Sequence, residues 1–426
     1  MSDKLIVLLI AALTYLLIII FSNKKVWIVL SSSILILLLG YVSFKDVIGE
    51  LINWNVLLIY IGTLILADLF IYSKVPAMIA DIIVDKAPNT GLAIVLLCIL
   101  TGFISMFVEN VATVLVVAPL ALDIAKKLKV SPVPILFSIA ISSNLQGTAT
   151  LVGDPPSMIF AGFAGFSFND FFFYNGKPSI FFIVEAGAVA SWIYLYFLFR
   201  KYKRKEVAEP VEKPTSWVPT ILLTLMVVGL AVISFVEKGF TIKSGYFCLI
   251  MGVIGLLWFI IFEKKDRKEV IGLIKRLDWE TIVFLMGIFT VIGTISKVGI
   301  LDDFASWLSK NLGTNVLLSF VVITGFSMIL SGFIDNVPYI IIMLPVVARL
   351  AEAMGTNAFL LYYGLLVGSC LGGNITPFGA SANLVSVGLL KKEGYHTKFW
   401  DFVKIGLPFT LITTITASLV CWLILG

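Results

Sequence analysis

Charge is scarce in this 426-residue sequence: Asp, Glu, Lys and Arg together make up 13% of it, and there is a single histidine. Long polar stretches are nearly absent as well, since 59% of the residues are hydrophobic and the mean hydropathy is +1.05, far outside the range of soluble globular domains. Four cysteines, Cys98, Cys248, Cys370 and Cys421, all fall inside apolar runs with neither paired nor metal-ligand spacing, so neither a disulfide framework nor a zinc site is indicated. His396 stands in a polar loop with Lys391 and Lys392, the setting of a solvated side chain rather than a catalytic one. P-loop, GxSxG and HExxH patterns are missing, so ATP hydrolysis and ordinary membrane enzymology lack the residues to run them. The formal charge of +5 requires no nucleic-acid partner, because basic residues at a cytoplasmic membrane face account for it.

What is present is apolar sequence cut into helix-length runs. Residues 5–21 carry no charge and are long enough to cross the hydrocarbon core, and comparable runs follow, so the chain reads as an all-α polytopic protein of the lipid bilayer. The first run is followed by Lys24 and Lys25 without a small-residue cleavage pattern, and reads as a retained helix. Spans are expected near 4–22, 27–43, 54–72, 133–165, 179–199, 217–236, 244–262, 279–297, 358–390 and 401–425, about ten crossings by length. Two further apolar stretches, 91–126 and 315–353, are interrupted by Glu109-Asn110 and Asp335-Asn336 and read as re-entrant helical hairpins. With both hairpins re-entrant, the basic groups at Lys24/Lys25, Lys74/Lys86, Lys126/Lys127/Lys129, 200–205, 264–276 and Lys391/Lys392/Lys398 share one side. That side is the cytoplasm of a cell inner membrane, with both termini outside. Stretches 73–89 and 297–313 alternate apolar and charged residues and read as interfacial helices. FSFNDFFFY (166–174) reads as an aromatic belt at the membrane surface.

The chain repeats itself. The offset between Glu109 and Asp335 also relates Ser105 to Ser331, Phe107 to Phe333, Asn110 to Asn336, Pro119 to Pro345, Ser143 to Ser369, Gly147 to Gly373, Thr150 to Thr376 and Gly153 to Gly379, without a gap. Hydrophobic composition matches leucines with valines, but not this set of Asn, Pro, Gly and Thr. Trp54 with Gly62 echoes Trp279 with Gly287. The charged, proline-bearing segment 200–216 therefore reads as a cytoplasmic linker between a first repeat, 1–199, and a second, 217–426. Five crossings and a hairpin in each half make the second copy inverted relative to the first, the architecture of alternating-access transporters with substrate near the midplane.

Four segments would converge at that midplane: the hairpin tips 107–113 and 333–339, and the broken helices around 142–157 and 369–383. Gly, Ser, Thr, Asn and Pro in the middle of an apolar run let the backbone unwind and offer carbonyls to a cation or amides to an anion. Glu109, Asp335 and Asp154 are costly in lipid and are the candidates for proton or cation coupling. The plainer alternative is that they cap half-helix N-termini. Candidate neutral ligands are Asn110, Thr113, Ser143, Asn144, Gly147, Thr148 and Thr150 in the first half, and Asn336, Ser369, Gly373, Asn374, Thr376, Ser381 and Asn383 in the second. Interhelical hydrogen bonding is the alternative role for each. Asp68, Asp123 and Glu185 have no counterpart in the other half and read as structural or interfacial.

At ENVATVLVVAP (109–119), SNLQGTATLVGDPP (143–156) and GGNITPFGASAN (372–383) the sequence resembles the ArsB/NhaD/P-protein branch of the ion transporter superfamily, with its citrate-transporter-like domain. Glu109 departs from that pattern, which opens the first tip with Asp. The resemblance implies a scaffold domain and a transport domain that move relative to each other, a homodimer formed through the scaffold, and room for an ATPase partner. It also implies proton-coupled efflux of arsenite or antimonite, or sodium/proton antiport, with Na+ or H+ as coupling ion and no organic cofactor. Both readings use the same residues. Sodium-coupled uptake of an organic anion is a third, weakened because two acids at the tips repel a dianion. A channel is the rival of a different class, opposed by the absence of a repeated pore-lining ring.

Overall fold

The computed structural model describes residues 3–21, 24–203, 213–237 and 239–426. Residues 204–212 of the expected linker, with Arg204 and Lys205, and Ser22 at the end of the first expected span lie outside the described residues. The first half runs α1 (Asp3–Ile20), α2 (Lys25–Leu38), α3 (Phe44–Asp46, prolonged by a π-helical turn), α4 (Trp54–Tyr72), α5 (Val75–Lys86), α6 (Thr90–Ser105), α7 (Asn110–Leu128), α8 (Val133–Gly147), α9 (Pro155–Ala164) and α10 (Ile180–Phe199). The second runs α11 (Val218–Val236), α12 (Ile242–Ile261), α13 (Arg267–Arg276), α14 (Trp279–Lys297), α15 (Ile300–Leu312), α16 (Val316–Ser331), α17 (Asn336–Met354), α18 (Ala358–Gly372), α19 (Ser381–Lys392) and α20 (Phe399–Leu425). From α4 and α14 onward the two halves follow the same order of long, short and paired helices. A two-residue antiparallel ladder, Phe173–Tyr174 with Lys177–Pro178, is the only sheet among the described residues.

The protein is a multi-pass helical membrane protein. Among the described residues nine helices are long and apolar enough to cross a bilayer. The expected spans at 133–165 and 358–390 are each two helices with a non-helical break: α8 then α9, and α18 then α19. The span expected at 27–43 is a helix of 14 residues, about 21 Å long at 1.5 Å per residue and short of the hydrocarbon core. Gly40, with φ +75°, turns the chain beyond its end. Stretches 91–126 and 315–353 form the hairpins α6–α7 and α16–α17, and the amphipathic α5 and α15 precede them.

Close packing rests on small residues. Along α18, Gly364, Gly368 and Gly372 share one face, and a Cβ on Gly368 or Gly372 would strike the carbonyl oxygen of Thr324 or Met328 on α16. The two helices therefore approach at backbone distance, the favoured contact where lipid removes the hydrophobic drive to associate. The four cysteines are free and buried. The aromatic run at 166–174 differs from the expected surface belt, because Phe166, Phe168 and Phe171 are buried. Phe166 stacks on Tyr174 and Phe359 with ring centres 4.6 and 5.3 Å apart, so this segment packs the end of the bundle, and only Phe173 stands out.

Candidate functional site

Both hairpin tips end in a carboxylate that starts the next helix. Glu109 accepts from the Ala112 amide at 3.0 Å at the start of α7, and Asp335 accepts from the Val337 amide at 3.1 Å at the start of α17. Asp154 does the same for α9, accepting from Ser157 N at 2.9 Å, while the Thr148 hydroxyl donates to its other oxygen at 3.4 Å. All three acids thus sit where unpaired amides and the helix dipole stabilise negative charge.

The helix breaks are shaped by glycine pairs. A Cβ on Gly153 would strike the Gly147 carbonyl, and a Cβ on Gly379 the Gly373 carbonyl, so each break folds back on itself at van der Waals contact. Threonines then fasten breaks to tips: the Thr150 hydroxyl donates to the Met106 carbonyl, and that of Thr376 to the Gly332 carbonyl at 2.5 Å. These bonds fall at equivalent positions in the two halves.

Tips and breaks enclose a cavity of about 50 Å³. Its acidic lining is Glu109, Asp154, Asp278 and Asp335, and its one basic group is Lys25. Asn110, Asn144, Asn336, Tyr60, Thr281 and Ser381 supply neutral polar atoms. Lys25, Asp278, Thr281, Asp335 and Ser381 also border a wider vestibule of about 670 Å³, together with Glu280 and Phe333. Lys25 Nζ lies 2.9 Å from Asp335 Oδ2 and 5.2 Å from the centre of the Phe284 ring. Asp278 caps α14 through the Thr281 amide at 3.0 Å and accepts from the Tyr60 hydroxyl at 3.1 Å. Among the described residues no three acidic, histidine or cysteine side chains converge to hold a metal ion.

Beside the cavity lies a fully buried amide knot. Asn144 Nδ2 donates to Asn374 Oδ1 at 3.0 Å and to Asn383 Oδ1 at 2.9 Å. Asn374 in turn donates to the Ile141 carbonyl at 3.2 Å, and Asn383 to the carbonyls of Gly373 and Thr376, both at 3.0 Å. The knot joins the first half of the sequence to the second. A serine cluster is less even: Ser105 Oγ contacts Asn110 Oδ1 at 2.5 Å and Ser143 Oγ at 2.8 Å. The equivalent Ser331 Oγ is buried without a partner among the described residues, while Ser369 bonds back to the Leu365 carbonyl at 2.7 Å.

Of the residues singled out in the sequence, Glu109, Asn110, Asn144, Asp154, Asp335, Asn336 and Ser381 line the cavity. Asn374, Asn383, Thr148 and Ser143 stand one hydrogen bond behind it. Thr113, Thr150, Thr376 and Ser369 do not line it, because their hydroxyls are engaged by backbone carbonyls, Thr113 by that of Glu109 at 3.1 Å. Gly147 and Gly373 act through close approach. Sequence reasoning missed Lys25, Tyr60, Asp278 and Thr281. Lys25 was expected as a loop charge and is instead a cavity residue. Asp278 immediately precedes Trp279, and the equivalent Asn53 caps α4 through the Val56 amide, so the tryptophan echo held a signal for it. Asp68 and Asp123 lie away from the cavity in ion pairs with Arg276 at 3.2 Å and Lys127 at 2.8 Å.

Comparison with known proteins gives a family and a fold. A family model described as a citrate transporter matches residues 15–368. A 46 kDa membrane protein of Mycobacterium leprae is 30% identical over 377 residues, covering 87% of this chain and 86% of that one. An uncharacterised transporter of Mycobacterium tuberculosis is 28% identical over 376 residues, with 87% and 86% covered. The P protein of Sus scrofa is 25% identical over 416 residues, covering 78% of this chain and 48% of that protein. Among solved structures the fold is similar to the YdaH transporter of Alcanivorax borkumensis, with a TM-score of 0.60 at 14% identity and coverage of 92% and 87%. It is also similar to MtrF of Neisseria gonorrhoeae, described with antimetabolite efflux pumps, with a TM-score of 0.58 at 15% identity and coverage of 92% and 85%.

Proposed function

The chain belongs to the citrate transporter family, and from that premise we propose that this secondary transporter exports a small uncharged hydroxy acid, arsenite or antimonite, against incoming protons. The observation that carries this reading is the cavity: about 50 Å³, with Glu109, Asp154, Asp278 and Asp335 set against Lys25 alone. A tricarboxylate would meet four carboxylates at close range, a repulsion that low dielectric enlarges. The acids are spread around the space rather than gathered on one point. Dispersed acceptors suit a solute whose several hydroxyls each donate to a different oxygen, and asparagine amides beside them add donors and acceptors. Protonation of Glu109 or Asp335 replaces an acceptor with a donor, weakens the hold on such hydroxyls and releases the solute as the proton is taken up.

Sodium/proton exchange is the second reading. One observation favours it: Asp335 already holds a monovalent cation, the Lys25 ammonium, at 2.9 Å. Either exchange would be carried out in a cell inner membrane, by two inverted halves with both termini outside and two copies joined through helices outside the hairpins. Transport by purified protein in proteoliposomes with an internal pH dye separates the two, with sodium, lithium, arsenite and antimonite supplied in turn. Metalloid-driven proton flux without sodium supports the export reading. Flux driven by sodium alone replaces it with cation antiport, and flux driven only by citrate overturns both.

A further inference from the structure

We propose that Lys25 is a displaceable internal cation that latches the second hairpin tip to α1 and α2 while Asp335 is unloaded. The latch deepens the sodium/proton exchange reading and rests on Asp335 as the group that takes up a proton or cation, since an uncharged metalloid leaves the Lys25–Asp335 attraction in place. Lys25 opens α2, which is too short to cross the hydrocarbon core, so its N-terminal end can stand at the depth of the cavity. There the ammonium bonds Asp335 at 2.9 Å, rests against the Phe284 ring and borders both cavity and vestibule. A second tie runs from the same pair of helices to the same tip, the Tyr15 hydroxyl on α1 donating to the Pro338 carbonyl at 3.3 Å. Asp335 has no counterpart to this arrangement in the first half: Glu109 at the equivalent tip has no lysine bonded to it among the described residues.

Charge decides what loosens the latch. The charged groups sharing these two spaces with Asp335 are Lys25 from α2, Asp278 and Glu280 from the start of α14, Glu109 from the other tip and Asp154 from α9. Lys25 faces these four acids as well as Asp335, so occupation of Asp335 by a proton or a cation is the event that alters the pair. A proton on Asp335, or a cation seated there, cancels the attraction and leaves Lys25 to the remaining acids. Of the two ties from α1 and α2 to the tip, only the Tyr15 bond then remains. An empty carrier stays tied and does not cross, which is the condition for obligatory exchange.

Hydrogen–deuterium exchange of residues 333–339 in lipid nanodiscs tests this without any substrate. Lys25→Met should speed exchange of the tip by about tenfold, the signature of losing a partly buried ion pair. Lys25→Arg, which keeps the charge, should leave it protected. Asp335→Asn, which removes the charge and can keep the cap, should speed exchange of the tip as much as Lys25→Met does, and combining the two should add nothing further. Unchanged exchange in folded Lys25→Met overturns the latch whatever the protein transports, and accelerated exchange beside failed metalloid and sodium assays would uphold the latch while removing the substrate reading.

Discussion

At the scale of single residues, two side chains have separable roles. Asp335 combines a cap on α17 with the bond to Lys25, and asparagine can keep the cap but not the charge. Asp335→Asn should therefore insert and fold normally while transport falls by at least about a hundredfold, the loss typical of deleting a proton-transfer group. Near-normal flux in proteoliposomes would sink the assignment. Asn144 is different, because its amide joins Asn374 and Asn383 and so joins the two halves. Asn144→Ala leaves two buried acceptors without a donor and should cost about 2 kcal/mol, read as a lower melting temperature in detergent. A melting temperature equal to the wild type would show that the knot contributes no stability.

At the scale of elements, the helix breaks are held open by contacts that only glycine permits. A Cβ on Gly379 meets the Gly373 carbonyl and, 2.9 Å away, the Ser331 carbonyl in the hairpin α16–α17. Gly379→Ala should cost about 2–3 kcal/mol and push the break away from the tip. Gly388 lies in α19 with open space where its Cβ would be, so Gly388→Ala should be neutral or stabilising by about 0.5 kcal/mol. Thermal unfolding of the pair in parallel checks this, and equal effects would show that the contact at Gly379 relaxes without cost.

At the scale of the whole molecule, the repeated element order asks whether the halves face opposite ways. The end of α7 lies beside the end of α19, with Lys126 paired to Glu393 at 2.9 Å, whereas the start of α18 lies beside the 166–174 segment through Phe359. The loops at 126–131 and 353–357 should accordingly react with a membrane-impermeant thiol reagent from opposite sides. Labelling of both from one face would rule out inverted hairpins. The required background, with all four native cysteines replaced by alanine, should transport as the wild type does, since each is free and buried. Loss of metalloid flux in that background would instead assign a cysteine to the substrate.

Membrane residence, the hairpins, the helix breaks and most of the acids and amides at the cavity were legible in the sequence. Each has a local cause: apolar length, an acid-Asn pair interrupting an apolar run, Gly and Pro where a helix must open. The neutral ligands were less legible, since Asn144, Thr150 and Ser369 look alike in one dimension. Only the fold decides that Asn144 faces the cavity while Thr150 and Ser369 are turned to the Met106 and Leu365 carbonyls. Lys25 and Asp278 were hidden for the same reason. A lysine beside a lysine at the end of an apolar run reads as a topogenic charge, and its partner Asp335 is 310 residues away. Sequence alone thus determined which segments could unwind and carry charge within the membrane. Which charges meet was decided by tertiary structure, because an ion pair depends on a separation of about 3 Å that no local pattern encodes.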